Sequence, residues 1–367
     1  MIAADEPIAA AVSAPTPARL FLPGAARERF AAVAALCAEV RGPGLVAVAA
    51  YSVKTNPRRE LLALAREHGF FAEVITPQEL AWARELGFEG ARTIANGPYP
   101  LGPGAARDPL AFAFADSIEA FERNVAAGLA RVHGVRLRPS MLGSRFGVPI
   151  EDDAALARTV AAAPLDAIAV SFHARRGDFH DASWLDVARD VLGRAVALRR
   201  ASGREIVAFD VGGGWTPEQL DAAFVDEVGA FAAEVEAALP ACARLVVEPG
   251  QAIATPCEAL VTTVLEVRER AGRREAIVDA GYPEWPLMHA YVHPLHVVRG
   301  EALVAIGTGP DRLGGRTCLE YDVLDGLRFP PDLAAGDRIV VGGTGSYDAS
   351  MRFRFAEGGT ASGDSSS

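Results

Sequence analysis

The sequence predicts an α/β protein: a (β/α)8 barrel followed by a mostly β C-terminal domain. Three observations predict it. Short apolar, β-rich runs alternate with helical patterns over about 220 residues. The polar residues that stand out gather at the ends of those runs. After residue 255 the alternation gives way to long β-patterned stretches separated by turn residues. Strands that alternate with helices must pair in parallel, and eight such units close a barrel. An open doubly wound sheet is the competing arrangement.

The candidate strands are 45–53, 71–75, 92–95, 111–115, 132–138, 167–172, 206–211 and 244–248. Helical periodicity fills most gaps, at 57–68, 77–87, 117–129, 151–163, 183–202 and 217–239. Pro57, Pro77 and Pro217 stand at the starts of such patterns, where a missing N–H costs no hydrogen bond. The Gly/Pro-rich gap 96–110 has room for a short helix only. The later β runs are 257–268, 274–279, 295–306, 337–343 and 350–355. The division expected is a disordered N-terminus (1–14), a strand segment joining the β domain (15–26), the barrel (27–255), the β domain (256–356) and a disordered tail (357–367).

Composition narrows the function. With 367 residues, half of them hydrophobic, the chain can bury a large core. A formal net charge of -11 gives no footprint for nucleic acid or for an anionic membrane surface. Cys37, Cys242, Cys257 and Cys318 are far apart and form no CxxC pair, so neither a disulfide framework nor a metal site is expected. The N-terminus lacks the basic stretch of a signal peptide, and no apolar run is long enough to span a bilayer. The expectation is a cytoplasmic protein.

The barrel reading demands that functional residues lie at strand C-terminal ends. Lys54 ends the first strand, Glu73 lies in the second, Arg136 comes late in the fifth and His173 ends the sixth. Gly212, Gly213 and Gly214 follow the seventh, and Glu248 ends the eighth, before Pro249 and Gly250. Each alone has a plain reading: a surface lysine, a buried histidine, a turn, an acid paired in the core. Together they suggest chemistry. Desolvation at a barrel mouth depresses a lysine pKa, and a neutral amine can attack a carbonyl. A glycine loop after the seventh strand exposes backbone N–H groups where barrels tend to hold phosphate.

Six runs, in order, then resemble the motifs of the ornithine/diaminopimelate/arginine decarboxylase family, the alanine-racemase-like (fold type III) barrel enzymes that use pyridoxal 5'-phosphate. They are YSVKTNP (51–57), AVSFH ending at His173, FDVGGG ending at Gly214, VEPG ending at Gly250, RTCLEYDVL from Arg316 and GSYDASM from Gly345. The resemblance covers about residues 18–356. It implies that Lys54 holds the cofactor covalently, that His173 stacks on its ring and that Glu248 pairs with the pyridine nitrogen. It implies that Gly212–Gly214 and Tyr347 hold the phosphate, that Gly250 belongs to the pyridine-binding motif, and that Glu73, Glu79 and Arg136 support lysine and cofactor. Cys318 would return a proton to Cα after CO2 leaves. A protonated ring is a deep electron sink, so a glutamate at 248 speaks for decarboxylation over racemisation. Because the cysteine segment of this family belongs to the neighbouring subunit's site, a homodimer with shared active sites is implied. A non-catalytic regulatory homologue would have lost the lysine or the cysteine, and both are present.

Three departures bear on substrate. Gln251 stands where the family often has a phosphate-binding arginine, and Arg175 or Arg176 could replace it. Leu319 follows the cysteine where enzymes acting on diamine precursors have an acid. Met288, in PLMHAYVH, falls where ornithine decarboxylases place another. A buried ammonium without a partner is costly, so plain ornithine or lysine is disfavoured. Glu320, one residue along an extended segment, would face the other way. His289, His293, Arg312 and Arg316 are available to a substrate that carries carboxylates, such as the citryl-diaminopropionate conjugate of a siderophore pathway. Diaminopimelate- and carboxynorspermidine-type decarboxylation are the alternatives within the family.

Overall fold

A computed structural model describes residues 15–175 and 182–355. The ends expected to be disordered, 1–14 and 357–367, and Arg176 lie outside the described residues. Two compact units emerge: Ala25–Thr255, and the residues up to Gly24 together with those from Pro256.

The chain opens with β1 (Ala18–Phe21), which pairs antiparallel with a strand that comes some 240 residues later. After α1 (Pro23–Glu39) the strands β2 (Val46–Ser52), β3 (Phe71–Val74), β4 (Thr93–Ala95), β5 (Leu110–Ala115), β6 (Ala130–Arg136), β7 (Ala167–Ser171), β8 (Glu205–Asp210) and β9 (Arg244–Val247) close a parallel barrel. The outer helices are α2 (Arg59–Glu67), α3 (Pro77–Glu85), α4 (Ile118–Ala126), α5 (Asp153–Ala162), α6 (Trp184–Ser202) and α7 (Ala222–Ala238). The third crossover holds only a 3-10 turn, Pro103–Arg107, as its Gly/Pro content predicts.

Local chemistry fixes the helix starts. Thr76 and Ser117 accept the backbone N–H of Glu79 and Ala120, and Pro77 occupies the first turn of α3. Ser183 and Asp186 form a reciprocal capping box on α6. Inside the barrel, Ala50, Phe71, Ile94, Phe112, Phe114, Ala169, Ala208 and Val246 pack together. Phe114 sits in register with Gly134, and a Cβ there would lie 2.5 Å from its ring, so the glycine makes room for the aromatic. An aromatic cluster braces one side of the barrel. Trp184 and Phe231 meet edge to face at 5.7 Å, Phe209 and Phe231 at 5.5 Å, and Trp215 and Phe224 at 5.2 Å, with Phe172 against Trp184 and Phe209. Each such pair adds about 1 kcal/mol to the burial of its rings. Phe172 and Trp215 directly adjoin His173 and Gly214, so this cluster anchors the backbone that carries both.

The other unit is built on one sheet in the order β13-β12-β16-β10-β11-β14-β15, with β1 on β10. The strands are β10 (Glu258–Arg270), β11 (Arg273–Val278), β12 (Leu295–Arg299), β13 (Ala302–Ala305), β14 (Gly307–Gly314), β15 (Val323–Arg328) and β16 (Arg338–Val341). Its core includes Leu260, Val278, Trp285, Met288, Val297, Leu313 and Ile339.

Two expectations are corrected here. The run 295–306 is a hairpin rather than one strand, because Gly300 takes φ 61° and turns the chain. Residues 350–355 form no strand: Tyr347–Ser350 make a helical turn labelled α9, after a short α8 (Gly250–Ala254) at the barrel's close. The segment Met351–Phe355 that follows has alternation but forms no ladder among the described residues; Phe353 N–H meets only the Pro283 carbonyl oxygen, at 3.2 Å, and all five residues are exposed. Conversely, β14 and β15 carry no clear sequence signal. β14 reads GTGPDRLG, with three glycines and a proline, and its pairing with β15 shifts register around Thr308–Leu313.

Among the described residues no helix is long and apolar enough to cross a membrane, and no group of three or more His, Cys, Asp or Glu side chains is arranged to hold a metal ion.

Candidate active site

The strand ends of the barrel bring Lys54, Glu73, Asn96, Arg136, His173, Asp210, the Gly212–Gly214 loop and Glu248 to one rim. Lys54 lies in a single 3-10 turn, Val53–Thr55, that leaves β2. Its neighbour in register, Ser52, pairs with Glu73 of β3, which places the carboxylate beside the amine. Lys54 Nζ stands 2.5 Å from Glu73 Oε2. Glu73 is fully buried and its other oxygen has no hydrogen-bond partner. Desolvation of the amine is thus opposed by a carboxylate, a balance the sequence did not disclose. Gly250 closes against this turn: a Cβ there would lie 2.4 Å from Thr55 Oγ1 and 2.9 Å from Ser52 Cβ.

Behind the lysine lies a set of acids. Glu79 accepts from Ile75 N at 2.7 Å, and burial, followed by repulsion from Glu73, pushes it up to about 7. Glu248 is buried, and burial, then the Glu73 charge, raise it to about 7 as well. Asn96 Nδ2 donates to Glu248 Oε1 at 3.2 Å. Asp210, wholly buried, is raised well above the carboxylate range by burial first and by Glu248 second. It accepts from Gly212 N at 2.8 Å. The charges of Lys54 and Arg136 offset only part of this at Glu248, and a protonated ring nitrogen placed there would add a cation.

The glycine loop is cut to close tolerances. A Cβ on Gly213 would lie 2.2 Å from the Glu248 carbonyl oxygen, and one on Gly212 would lie 2.7 Å from the Phe172 carbonyl oxygen. Gly212 and Gly214 take φ 69° and 96°, which side-chain-bearing residues rarely adopt. Gly214 also packs along Arg175: its Cβ would meet Arg175 Cα and Cγ at 3.1 Å. The loop therefore offers bare backbone to a ligand. His173 sits beside Gly212, 3.0 Å from that notional Cβ through its ring Cδ2. Its ring is pushed down to about 3 by burial and by the charges of Arg136, Lys54 and Arg175, so it is a neutral imidazole at any working pH. Arg136, the last residue of β6, lies over the Phe146 ring at 5.1 Å.

The residues expected from the β unit are placed as follows. Cys318 is exposed, in the connection between β14 and β15. The other three cysteines are buried, and burial pushes the Cys37 thiol to about 12 and Cys242 to about 11. Tyr347 opens α9. Leu319 is half-buried, and Met288 belongs to the β core at 4 % exposure. Arg316 is held by Glu284 at 2.6 Å and by the Phe355 carbonyl oxygen. Arg312 is paired with Asp325 at 2.7 Å. His293 is buried, with Nε2 3.5 Å from Asp348 and Nδ1 3.2 Å from the Gly342 carbonyl oxygen. His289 Nε2 lies 2.8 Å from the Tyr321 carbonyl oxygen on the surface.

Asn96 and Asp210 were not singled out from sequence. Both stood within reach of the rule that marked the others: Asn96 directly follows the fourth strand, and Asp210 ends the seventh, inside FDVGGG.

Comparison with known proteins gives this geometry a context. Residues 125–255 match the family model "Pyridoxal-dependent decarboxylase, pyridoxal binding domain". The chain is 28% identical to a lysine/ornithine decarboxylase of Selenomonas ruminantium over 336 residues, 83% of this chain and 80% of the relative. It is 27% identical to a diaminopimelate decarboxylase of Actinosynnema pretiosum subsp. auranticum over 327 residues, 81% of this chain and 73% of that one. Its fold matches the crystal structure of lysine decarboxylase from S. ruminantium with a TM-score of 0.75 at 23% identity, covering 94% of this chain and 91% of the other. A bare glycine cradle, buried acids raised above the usual carboxylate range and a lysine at the mouth of the same barrel fit the cofactor those findings point to. Together these findings support a pyridoxal-phosphate-dependent amino-acid decarboxylase, similar to the lysine/ornithine and diaminopimelate decarboxylases.

Proposed function

We propose that Lys54 carries the cofactor, that the chain removes the α-carboxylate of an amino acid at the barrel rim, and that the substrate's far end is not a bare ammonium. The observation that carries this reading is the placement of Lys54 Nζ beside Glu73, on the same strand-end rim as Glu248 and the glycine loop. When bound, pyridoxal phosphate supplies the sink for the electron pair left by departing CO2. Glu248 would pair with the ring nitrogen and keep a proton there. His173, neutral, would stack on the ring and add no charge to it. The amides of Gly212–Gly214 and the Tyr347 hydroxyl would bind phosphate oxygens, and Gly250 would hold the pyridine side. Arg175, whose stem runs along Gly214, would offer a guanidinium to that phosphate in place of the arginine absent at 251. Replacing Arg175 and Arg176 together by glutamine is expected to weaken cofactor binding about tenfold, the scale of one charge-assisted contact; unchanged affinity removes that role.

Cys318 returns the proton to Cα, and it does so in the partner's site of a homodimer. Its exposure supports this, as do the exposed Tyr321, Met351, Phe353 and Phe355 nearby in the sequence and fold of the β unit. Leu319 follows Cys318 and offers no counter-charge to a distal ammonium. A carboxylate-bearing conjugate such as citryl-diaminopropionate has fewer partners than the sequence suggested. Arg312, Arg316 and His293 are engaged within the β unit and His289 is bonded to the Tyr321 carbonyl oxygen, so the far end would meet Leu319 and a His289 that first gives up that bond, and Met288 lies in the β core. The diaminopimelate-type reading draws support from the relatives of that name.

Purified holoenzyme offered a panel of amino acids and scored for CO2 tests the proposal. Turnover of diaminopimelate or of a conjugated diamino acid above that of free lysine and ornithine is expected. Preference for free lysine or ornithine overturns the substrate reading while leaving the reaction intact.

A further inference from the structure

The connection between β14 and β15, residues 315–322, carries Cys318 and is held from its inner side by one carboxylate. Asp322 is 4 % exposed and has no part in the chemistry assigned so far. Its Oδ1 accepts from Tyr282 N at 2.7 Å. Its Oδ2 accepts from Thr317 N at 3.0 Å and from Thr317 Oγ1 at 2.5 Å. Thr317 Oγ1 accepts in turn from Leu319 N at 3.3 Å. The backbone of Asp322 closes the loop, with its N–H on the Leu319 carbonyl oxygen at 3.0 Å and its carbonyl oxygen on Gly315 N at 2.8 Å.

Two glycines make space for that carboxylate. A Cβ on Gly315 would lie 2.1 Å from Asp322 Oδ1, and one on Gly281 would lie 2.5 Å from Oδ2. Neither glycine takes a positive φ, so space, not backbone freedom, accounts for both. The residues on either side of Cys318, Thr317 and Leu319, are thus tied to Asp322 directly or through one hydroxyl. Cys318, Glu320 and Tyr321 point outward. A buried carboxylate that accepts three donors is costly to disrupt, because each loss strands a donor in a dry site.

We propose that Asp322 is a positioning residue for Cys318: it fixes the loop that presents the thiol and so sets the rate at which Cα is protonated. The inference rests on the reading of Cys318 as proton donor. In the step concerned the S–H bond breaks, a C–H bond forms at Cα with the electron pair left by CO2, and the thiolate recovers its proton from water. Positioning errors near one ångström in such a donor cost on the order of tenfold or more in rate.

The test compares Asp322→Asn, Cys318→Ala and the double variant as holoenzymes. Two readouts are taken: the rate of Cys318 alkylation by iodoacetamide, followed by mass spectrometry, and kcat and KM separately. Asp322→Asn is expected to change the alkylation rate about fivefold and to lower kcat about tenfold, with KM within about twofold. In the Cys318→Ala background it is expected to cost nothing further in kcat. The proposal is overturned if alkylation and kcat are both unchanged, or if the loss in kcat is the same with and without the thiol. Cys37, Cys242 and Cys257 are buried, so their alkylation reports unfolding. If Asp322→Asn exposes them, Thr317→Val, which removes the 2.5 Å bond and keeps the side-chain shape, must show the same pattern, and a wild-type result there overturns the proposal. If Cys318→Ala keeps full kcat, the donor reading fails; a changed alkylation rate in Asp322→Asn still shows that the carboxylate sets the thiol's place.

Discussion

The barrel and the β unit hold their candidate residues by different means. In the barrel each stands at a strand end, where the parallel ladder fixes the backbone: Ser52 against Glu73, Arg136 against Ser171, Ser171 against Asp210. In the β unit Cys318 stands on a connection whose shape depends on side-chain ties to Asp322 and on the Arg316–Glu284 pair. Ladder hydrogen bonds survive most single substitutions, because many share the load. A loop held by one carboxylate does not. The difference teaches that a strand-end site tolerates change in everything except its reacting groups and its closest backbone approaches, whereas a loop-borne group is vulnerable at residues that never touch substrate.

The largest effect should come from the barrel's one amine. Lys54→Met is expected to lower kcat/KM by about 10³-fold or more, since no other group at the rim can hold the cofactor's aldehyde. Borohydride treatment should then fix no cofactor on the peptide 51–57, while unfolding by urea remains cooperative. Next comes Gly213→Ala. Its Cβ would fall 2.2 Å from a backbone carbonyl oxygen that cannot move independently of Glu248. A loss of about a hundredfold in pyridoxal phosphate affinity is expected, read by fluorescence titration. Retained affinity would mean that the strand ends are less rigid than the ladder implies.

A smaller effect concerns pH. Glu79, raised to about 7 by burial, binds its proton more tightly folded than unfolded. Between about 4.5 and 7 the folded state therefore holds more protons, and its contribution to stability falls as pH rises through that window. Glu79→Gln should flatten this slope by on the order of 1–2 kcal/mol, measured as the difference in urea unfolding free energy between pH 5 and pH 8. The smallest effect is set in the β unit. Arg312→Ala removes a half-exposed pair with Asp325 and should change stability by less than about 1 kcal/mol, and leave turnover as it was. A large loss of turnover there would revive Arg312 as a substrate contact.

The barrel was readable because its signals are redundant. Eight apolar runs, the prolines at helix starts and the strand-end rule all agree, so an error of two residues, as at 132–138 against Ala130–Arg136, does no harm. The Gly/Pro composition of 96–110 also announced its short turn. What could not be read was pairwise. The sequence marks Glu73 as an acid near Lys54 but not its 2.5 Å approach, which depends on the register of β2 with β3. It marks Arg312, Arg316 and His293 as available, whereas folding engages each with a partner 13 to 55 residues distant in the chain. It offers no sign of β14, whose ladder runs through Gly307–Gly314 and owes its existence to β11 and β15 on either side. The alternation at Met351–Phe355 misled for the converse reason: a period of two predicts a strand only where another strand waits to receive it.

The pairing of β1 with β10 has a consequence for how the chain is made. Ala18 is matched with Val261 and Phe21 with Glu258. Once made, β1 must therefore wait for nearly the whole barrel to be synthesised before its partner exists, an interval on the order of ten seconds to a minute at ordinary elongation rates. Four residues with an arginine among them make a poor template for stray pairing, and that brevity is what lets the segment idle safely until the ladder can be completed.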